Sequence, residues 1–334
     1  MSAQNSKSAG VLGALAGLVG FSALAGVLVT AMVAPALAVT SMTANSTVGI
    51  FEDLPDYVTI NQQSQRNTLY GLQGGAQVPF AQVYNQNREE VPWESVSQHV
   101  KDAAIAAEDE RFYEHGGVDL AGIVRAAVTN VTSDDTQGAS TLSQQLVKNL
   151  LIMDALNKPT KEEQDEAYAE AQAPTLDRKL REAKLAIGLE KRYTKQEILL
   201  GYLNIAGFGG NTYGIESAAQ QYYSTNAASL TPAQSASLIA IVQSPNANNP
   251  GYPENWERNQ VRRDAILGNM LEQKMLTQEQ YDEAIATPVN ETTIVLSTPN
   301  SGCLYASAAR FFCDYVVRNV PNFEALGDNE EERA

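Results

Sequence analysis

Most of the chain after Val91 carries hydrophobic residues at the spacing of an α-helix. In the first such run, four residues share one helix face, namely Val96, Val100, Ala104 and Ala107. This run continues to Glu108. The same periodicity predicts further helices at residues 140–153, 178–192, 194–204, 214–223, 231–243 and 257–286. The pattern therefore predicts a mainly α-helical core.

Three segments depart from this helical pattern. Residues 40–90 are polar with short alternating patches (YVTI, TLYGL and PFAQVY), which predict short strands or an extended stalk. Residues 157–177 are acidic and interrupted by prolines, which predicts an exposed excursion that is at most partly helical. The residues after Pro288 are rich in Thr, Asn and Ser, and the chain ends in an acidic GDNEEERA.

Residues 11–39 form an apolar segment without a charged side chain. This segment exceeds the roughly 20 residues that a helix needs to cross a bilayer, so it predicts a transmembrane anchor. Lys7 is the only positive charge before it, which places the N-terminus in the cytoplasm and the rest of the chain outside. A cleaved signal peptide is the alternative, because the small residues Ala36-Leu37-Ala38 fit a cleavage site.

The chain has 23 Lys and Arg residues against 39 Asp and Glu residues, a formal net charge of -16. This excess repels nucleic acid, so no nucleic-acid partner is expected and any anion site must be a local cluster. Cys303 and Cys313 are the only cysteines. Outside the cytoplasm, so close a pair favours a disulfide over a metal or redox site, with reduced thiols as the alternative.

Two groups of polar residues near the middle of the chain are candidates for chemistry. Glu108 ends an apolar helix in EDERFYEHGGVD, where the helix dipole and partial desolvation would make it a better proton acceptor. In GASTLSQQLVKN, Thr141 and Gln144 have capping-box spacing and Lys148 lies one turn further, so this helix start can face an anion. Both groups also have structural explanations: a helix end beside Arg111, and a capped helix with a solvated lysine.

A third group lies in RKLREAKLAIGLEKRYTKQEILLGYLN, residues 178–204. Arg178 and Lys179 precede Glu182 by four and three residues, which places all three side chains on one helix face. There they could bind a diphosphate and orient a carboxylate. Ordinary salt bridges within the helix are the alternative.

Taken together, these stretches resemble the peptidoglycan glycosyltransferase domain of class A penicillin-binding proteins, glycosyltransferase family 51. EDERFYEHGG is similar to the first motif of that family, GASTLSQQLVKN to the second, and RKLREAKLAIGLEKRYTKQEILLGYLN to the third. GFGGNTYGIESAAQQYY and LTPAQSASLIAIVQSPN resemble the fourth and fifth. The five stretches follow the family's order over about residues 91–275. The chain departs from the pattern at Tyr223, Ser224, Thr225 and Gln234, and in the length of its acidic excursion.

The resemblance implies a lysozyme-like lobe with a smaller membrane-associated jaw, expected at residues 120–177. It implies an extracytoplasmic enzyme of the cell membrane that polymerises lipid II into β-1,4-linked glycan strands, with inversion and release of undecaprenyl diphosphate. The implied partners are lipid II, the growing glycan strand, the bacterial membrane and proteins of division or elongation. A lysozyme-like hydrolase and a non-catalytic glycan-binding scaffold are the rival functions.

The same resemblance implies roles for individual residues. Glu108 would be the general base that takes the proton of the acceptor's 4-hydroxyl, and Glu182 the second catalytic carboxylate, near the diphosphate. Asp109 and His115 would support Glu108. The donor diphosphate site would be lined by Ser140, Gln144, Lys148, Arg178 and Lys179. No cofactor is required and no metal motif is visible, although Mg2+ is compatible with a diphosphate donor.

The expected organisation has five parts. They are a cytoplasmic tail at 1–10, an anchor at 11–39, a stalk at 40–90, the glycosyltransferase domain at 91–286 and a linker at 287–334. The linker would lead to a transpeptidase domain that is absent, because the chain has no Ser-x-x-Lys or Lys-Thr-Gly motif. A monofunctional enzyme with a long tail is the alternative. Arg262-Arg263 fits a basic pair that follows the fifth motif, or a solvated helix face.

Overall fold

The structure, a computed structural model, describes residues 57–61, 63–123, 125, 140–297 and 301–327. The predicted tail at 1–10 and the predicted anchor at 11–39 lie outside the described residues, as does part of the predicted jaw. The described residues are mainly α-helical, which confirms the predicted fold class at that level. Among them, no helix has both the length and the apolar character that a membrane crossing requires.

The helices carry most of the fold. In chain order, their bounds are α1 (Gln98–Glu108), α2 (Leu142–Leu156), α3 (Lys161–Gln172), α4 (Leu176–Arg192), α5 (Lys195–Ile205), α6 (Ile215–Tyr223), α7 (Pro232–Gln243), α8 (Trp256–Glu272), α9 (Gln278–Ala286) and α10 (Arg310–Asn319). Helices α2, α3, α5, α7 and α9 begin with a threonine in a capping box. The capping boxes predicted at Thr141 and Thr194 are thus confirmed, and such caps contribute about 1 kcal/mol each.

The single helix predicted at 257–286 is wrong, because the chain turns between α8 and α9. Lys274 has a left-handed φ of 60°, and the N–H of Met275 donates to Met270 O at 2.8 Å. Thr277 then caps α9. Both helices bury apolar residues in the same core, so the hydrophobic periodicity continues across the break and does not reveal it.

One large hydrophobic core holds the helices together. Helix α1 lies against α7 and α8, which also pack against each other, and α2 packs against α3, α4 and α5. Residues without exposed surface come from each part of this core, for example Val100, Leu146, Leu189, Leu199, Ile239 and Leu267. This packing fixes the C-terminal end of α1 and the start of α2 in position.

Two small β elements flank the helical core. Strands β1 (Asn67–Gln73) and β2 (Ala76–Val83) form an antiparallel hairpin. Gly74 and Gly75 between them both have positive φ, as a two-residue type I′ turn requires. Strand β3 (Asn87–Arg88) pairs in parallel with β4 (Thr212–Tyr213). The hairpin contains TLYGL and most of PFAQVY, whereas YVTI, residues 57–60, is not a strand.

The hairpin packs against the C-terminal part of the described chain. Ala81, Ala306 and Cys313 form a small buried cluster, and the N–H of Ser307 donates to Phe80 O at 2.9 Å. A disulfide joins Cys303 to Cys313, with 5.5 Å between their Cα atoms. Residues predicted as a stalk and residues predicted as a linker therefore form one substructure.

The acidic excursion is helical over most of its length, as α3. Of its side chains only that of Ala171 is buried, which confirms the predicted exposure, although the helix is longer than expected. Glu170 of α3 pairs with Arg181 of α4 at 2.6 Å. The excursion therefore extends the helical surface beside α4 and keeps its carboxylates in solvent.

Candidate active site

Glu108 is the last residue of α1, and its side chain is 13% exposed. The Nε2 amide of Gln145 donates to Glu108 Oε2 at 2.9 Å. The other oxygen, Oε1, is buried and has no hydrogen-bond partner among the described residues. The Nη2 atom of Arg262 lies 4.0 Å from it. Glu108 thus has one carboxylate oxygen that no hydrogen-bond donor of the described residues occupies.

Two side chains of α8 cap the end of α1. Asn269 Nδ2 donates to Ala106 O at 3.0 Å, and Arg262 Nη2 donates to Ala107 O at 3.4 Å. These bonds satisfy carbonyls that lack partners at a helix C-terminus, and they hold Glu108 in place. Arg263 is 1% exposed and donates to Thr287 O. The alternative of a solvated face is therefore wrong for Arg263, whereas Arg262 is 28% exposed and contacts the end of α1.

Tyr202 of α5 lies behind Gln145 and is completely buried. Its hydroxyl donates to Gln145 Oε1 at 3.5 Å, while the amide nitrogen of Gln145 donates to Glu108. Burial, and secondarily the negative charge of Glu108, raises the pKa of Tyr202 well above its ordinary value, so the hydroxyl keeps its proton. The contact from Tyr202 favours the amide orientation in which the nitrogen of Gln145 faces the carboxylate.

Asp109 and His115 join the first motif to the start of α2. The Asp109 carboxylate lies 2.9 and 3.0 Å from His115 Nε2 and accepts the Leu142 N–H at 3.0 Å. Thr141 Oγ1 donates to Gly117 O at 2.7 Å. Asp109 is therefore fully engaged and positions the helix that carries Gln145. Asp109 directly follows Glu108 in the chain, and its carboxylate links His115 to the start of α2.

Gln144 belongs to the capping box that starts α2. It is 6% exposed, and its Oε1 accepts the Thr141 N–H at 2.9 Å in the capping box of α2. Its side-chain oxygen therefore serves the helix start. Gln145, the next residue, is the one that contacts a candidate catalytic group.

Arg178, Lys179 and Glu182 form a charged cluster at the start of α4. Glu182 is 1% exposed, and its Oε1 accepts from Arg178 Nη1 while its Oε2 accepts from Lys179 Nζ at 3.0 Å. Lys179 Nζ also donates to Ser140 Oγ at 2.9 Å. The salt bridges within the helix, which were the alternative explanation of this group, are thus present. Lys179 also connects Ser140 to the cluster.

Lys148 is half-buried one turn beyond Gln144 on α2. Burial lowers the pKa of Lys148 from its ordinary value of 10.5, and the positive charges of Arg178 and Lys179 lower it further, while Glu182 opposes them. The ammonium group of Lys148 is therefore close enough to the α4 cluster to be affected by its charges. An arriving anion would relieve the repulsion among these cations.

Helix α2 connects the two halves of the candidate site. Gln145 and Lys148 are three residues apart and so are neighbours on its surface. Gln145 contacts Glu108 at the end of α1, and Lys148 interacts electrostatically with the cations at the start of α4. Among the described residues, no group of three or more His, Cys, Asp or Glu could hold a metal ion.

Sequence patterns did not single out Gln145, Tyr202 or Asn269 as site residues. The sequence singles out Gln144 by its capping-box spacing from Thr141, and it offers no comparable reason to choose the next residue, Gln145. Asn269 and Arg262 lie about 160 residues after Glu108, so only tertiary packing brings them together.

The fold and this arrangement define a class of protein: a mainly helical domain with one available carboxylate and a separate cation cluster. Such a pair suits a transfer in which a hydroxyl loses its proton while an anionic group departs. A sequence model of the transglycosylase family matches residues 76–271, more than half of the chain. The chain belongs to the transglycosylase family.

Similar proteins are consistent with this family. Penicillin-binding protein 1A of Rickettsia felis is 34% identical over 71% of this chain and 28% of its own length. Penicillin-binding protein 1A of Aquifex aeolicus is 34% identical over 72% and 31%, respectively. The chain therefore spans less than a third of these relatives. A crystal structure of penicillin-binding protein 1A from Haemophilus influenzae gives a TM-score of 0.38 at 19% identity, over 73% of this chain and 22% of that one.

Proposed function

We propose that this chain is a peptidoglycan glycosyltransferase that polymerises lipid II into β-1,4-linked glycan strands for the bacterial cell wall. Membership of the transglycosylase family supports the reaction class. The observation that carries the proposal is the buried Oε1 atom of Glu108, which has no hydrogen-bond donor among the described residues and faces Arg262 at 4.0 Å. A carboxylate oxygen without a hydrogen-bond donor of its own leaves room for a hydroxyl to donate to it.

In the proposed reaction, Glu108 is the general base. The acceptor's 4-hydroxyl oxygen bonds to the donor anomeric carbon, the bond from this carbon to the diphosphate oxygen breaks, and the hydroxyl proton moves to Glu108 Oε1. Attack from the side opposite the leaving group inverts the anomeric centre. Gln145 holds the second carboxylate oxygen, and Arg262 lies 4.0 Å from Oε1.

The undecaprenyl diphosphate leaves as an anion and therefore needs charge neutralisation without a proton donor. We place its oxygens beside Lys148, Arg178 and Lys179, with Ser140 as a neutral donor. Glu182 is already paired with two of these cations, so its role in this proposal is to position Arg178 and Lys179. Gln144 would act by holding the start of α2.

The remaining expectations belong to the same proposal. The domain would occupy residues 91–286 as a lysozyme-like lobe with a jaw at 120–177, anchored by 11–39, with 1–10 in the cytoplasm and the catalytic domain outside. Residues 40–90 and 287–334 would connect it to the membrane and to a further domain. Lipid II, the glycan strand and the membrane would be its partners, with proteins of division or elongation. Mg2+ would be compatible with the diphosphate but is not needed for any step.

Labelled lipid II incubated with the purified full chain tests this function. The expected result is a ladder of lengthening glycan strands with release of undecaprenyl diphosphate, inhibited by moenomycin, a known inhibitor of the family. Shortening of preformed strands would identify a lysozyme-like hydrolase. Binding of lipid II without turnover would identify a scaffold.

A further inference from the structure

A cavity of about 350 Å³ lies on the side of α2 that faces away from the candidate active site. Its apolar floor includes Leu146 and Leu150 of α2 and Leu200 of α5. At 100° per residue, Leu146 and Leu150 lie on the face of α2 roughly opposite that of Gln145 and Lys148. The cavity and the candidate catalytic groups thus share a helix but not a surface.

The chain segment before β1 forms one wall of the cavity. The N–H of Ile60 donates to the Tyr193 hydroxyl at 3.2 Å, and the N–H of Gln63 donates to Glu90 Oε1 at 2.8 Å. Gly201 of α5 also lines the cavity. A Cβ at this position would come within 3.3 Å of Ile60 Cγ2 and 3.4 Å of Leu146 Cδ2, so the absence of a side chain helps to keep the cavity open.

The charged lining of the cavity has a single sign. Glu90 and Glu197 are the charged residues among the described ones that line it. Hydrogen bonds from Thr194, first from its backbone N–H, lower the pKa of Glu197, so this carboxylate is ionised at neutral pH. Arg88 is completely buried, and its positive charge partly offsets the negative charge of Glu90. No cationic side chain of the described residues lines the cavity to pair with either carboxylate.

We propose that this cavity is a second binding site, for a small amphiphilic cation with a compact apolar body and one ammonium group. The apolar body would occupy the floor between α2 and α5, and the ammonium group would lie between Glu90 and Glu197. The volume suits a ligand at the small end of the usual range for protein pockets. Ligand contacts with Leu146 and Leu150 would also bias the position of α2, and hence of Gln145 against Glu108.

Methyl NMR of the purified full chain tests the binding site, with phenethylammonium as the probe and phenethyl alcohol as its neutral counterpart. The expected result is saturable shifts of the methyl signals of Ile60, Leu146, Leu150 and Leu200, with the alcohol binding at least about fivefold more weakly. Equal affinity for the two probes, or no shift at these methyls, would overturn the proposal.

Charge variants sharpen the test. Glu197→Gln retains the capping box, because glutamine can also accept at that position, and should weaken phenethylammonium binding about threefold. Glu272→Gln is the matched control, since it removes the same charge from an exposed residue outside the cavity. An equal loss of affinity in both variants would mean that net charge, and not the cavity, attracts the probe.

The coupling to the active site has its own readout. Saturating phenethylammonium should shift the side-chain amide signal of Gln145, and phenethyl alcohol at the same concentration should do so less. An unchanged Gln145 signal in the saturated protein would refute the coupling. Only the consequence for polymerisation depends on the proposed function, and because neither NMR measurement requires turnover, failure here would leave that function intact.

Discussion

The two candidate carboxylates of this chain lie in opposite surroundings. Glu108 receives one hydrogen bond, from the neutral amide of Gln145, and its other oxygen has no donor among the described residues. Glu182 is 1% exposed, and both of its oxygens accept from cationic side chains, Arg178 and Lys179. Protonation of the first group would weaken only one long ion pair, to Arg262 at 4.0 Å, whereas protonation of the second would disrupt its pairs with both Arg178 and Lys179.

This difference assigns separate tasks to residues that a sequence motif presents as equals. A carboxylate that neutralises two cations is a positioning group, since its protonation would release both. A carboxylate with a neutral partner and an available oxygen is suited to proton transfer. Like Glu182, Asp109 has partners on both carboxylate oxygens, because His115 and the Leu142 N–H already contact them.

Of the variants that test this difference between the two carboxylates, Glu108→Gln should have the largest effect. Glutamine keeps the shape of the side chain but cannot accept the hydroxyl proton, so the rate of lipid II polymerisation should fall about 10³-fold, within the range for general bases. Binding of lipid II to the variant should be nearly unchanged, because the cation cluster is intact. Initial rates with labelled lipid II measure the first effect, and fluorescence titration measures the second.

Glu110→Gln is the matched control, with the same change in the same motif. The Glu110 side chain is 42% exposed and pairs with Arg125 at 3.4 Å. Its rate should stay within about twofold of the unmodified chain, as expected for an exposed ion pair. Polymerisation by the Glu108→Gln protein at a rate similar to that of Glu110→Gln would remove Glu108 from the role of base.

Glu182→Gln should act mainly on stability. It leaves Arg178, whose side chain is 13% exposed, without its carboxylate, and loss of one partner from a buried ion pair costs about 3 kcal/mol. Glu170→Gln breaks an exposed pair on the neighbouring helix surface and should cost less than about 1 kcal/mol. Urea denaturation followed by circular dichroism measures both. Equal losses would mean that the Glu182 cluster is not a structural unit.

Lys148 provides a pH test of the cation cluster. Because its pKa is lowered, Lys148 loses its charge at a lower pH than an ordinary lysine, and affinity for the lipid diphosphate should weaken by up to about tenfold per pH unit above that pKa. Stability should move the opposite way: between this pKa and 10.5 the unfolded chain binds more protons, so stability rises with pH.

Lys148→Arg is the control for this pH dependence, since arginine does not titrate in this range. The variant should bind lipid II with a flatter pH profile. Affinity that falls equally in both proteins would place the titrating group elsewhere. Lipid II titrations between pH 7 and pH 10 give the comparison.

The sequence predicted the helical core well, because apolar periodicity reports directly on which face of a helix is buried. It failed where two helices in succession bury residues in one core, as at Lys274, whose left-handed turn leaves no mark in that periodicity. The alternating patches predicted short strands or an extended stalk, and TLYGL and most of PFAQVY do form strands, whose pairing as a hairpin was not predicted. Its packing against the segment of Cys303 and Cys313 depends on contacts more than 200 residues apart, which local patterns do not contain.

For the candidate site, motifs identified the charged residues together with Ser140 and Gln144, but they missed Gln145, the neutral partner of Glu108. The stretch with Gln144 and Gln145 predicted a capped helix, and capping explains Gln144. Helix geometry rotates the next residue by about 100°, so Gln145 faces a different neighbour. That this neighbour is Glu108 depends on how α1 and α2 pack, which the sequence alone does not specify.

The smallest expected effect separates these two glutamines. Gln145→Ala removes the donor to Glu108 Oε2, and the loss of about 1 kcal/mol for one net hydrogen bond should lower the polymerisation rate about fivefold, with little change in the free energy of unfolding. Gln144→Ala removes half of the capping box, and should cost about 1 kcal/mol of stability with less than a twofold change in rate. Rates with labelled lipid II and urea denaturation of both variants give the four values. If Gln144→Ala lowered the rate more than Gln145→Ala, the neutral partner of the base would be misassigned, and Glu108 would differ from Glu182 only in its distance from the cations.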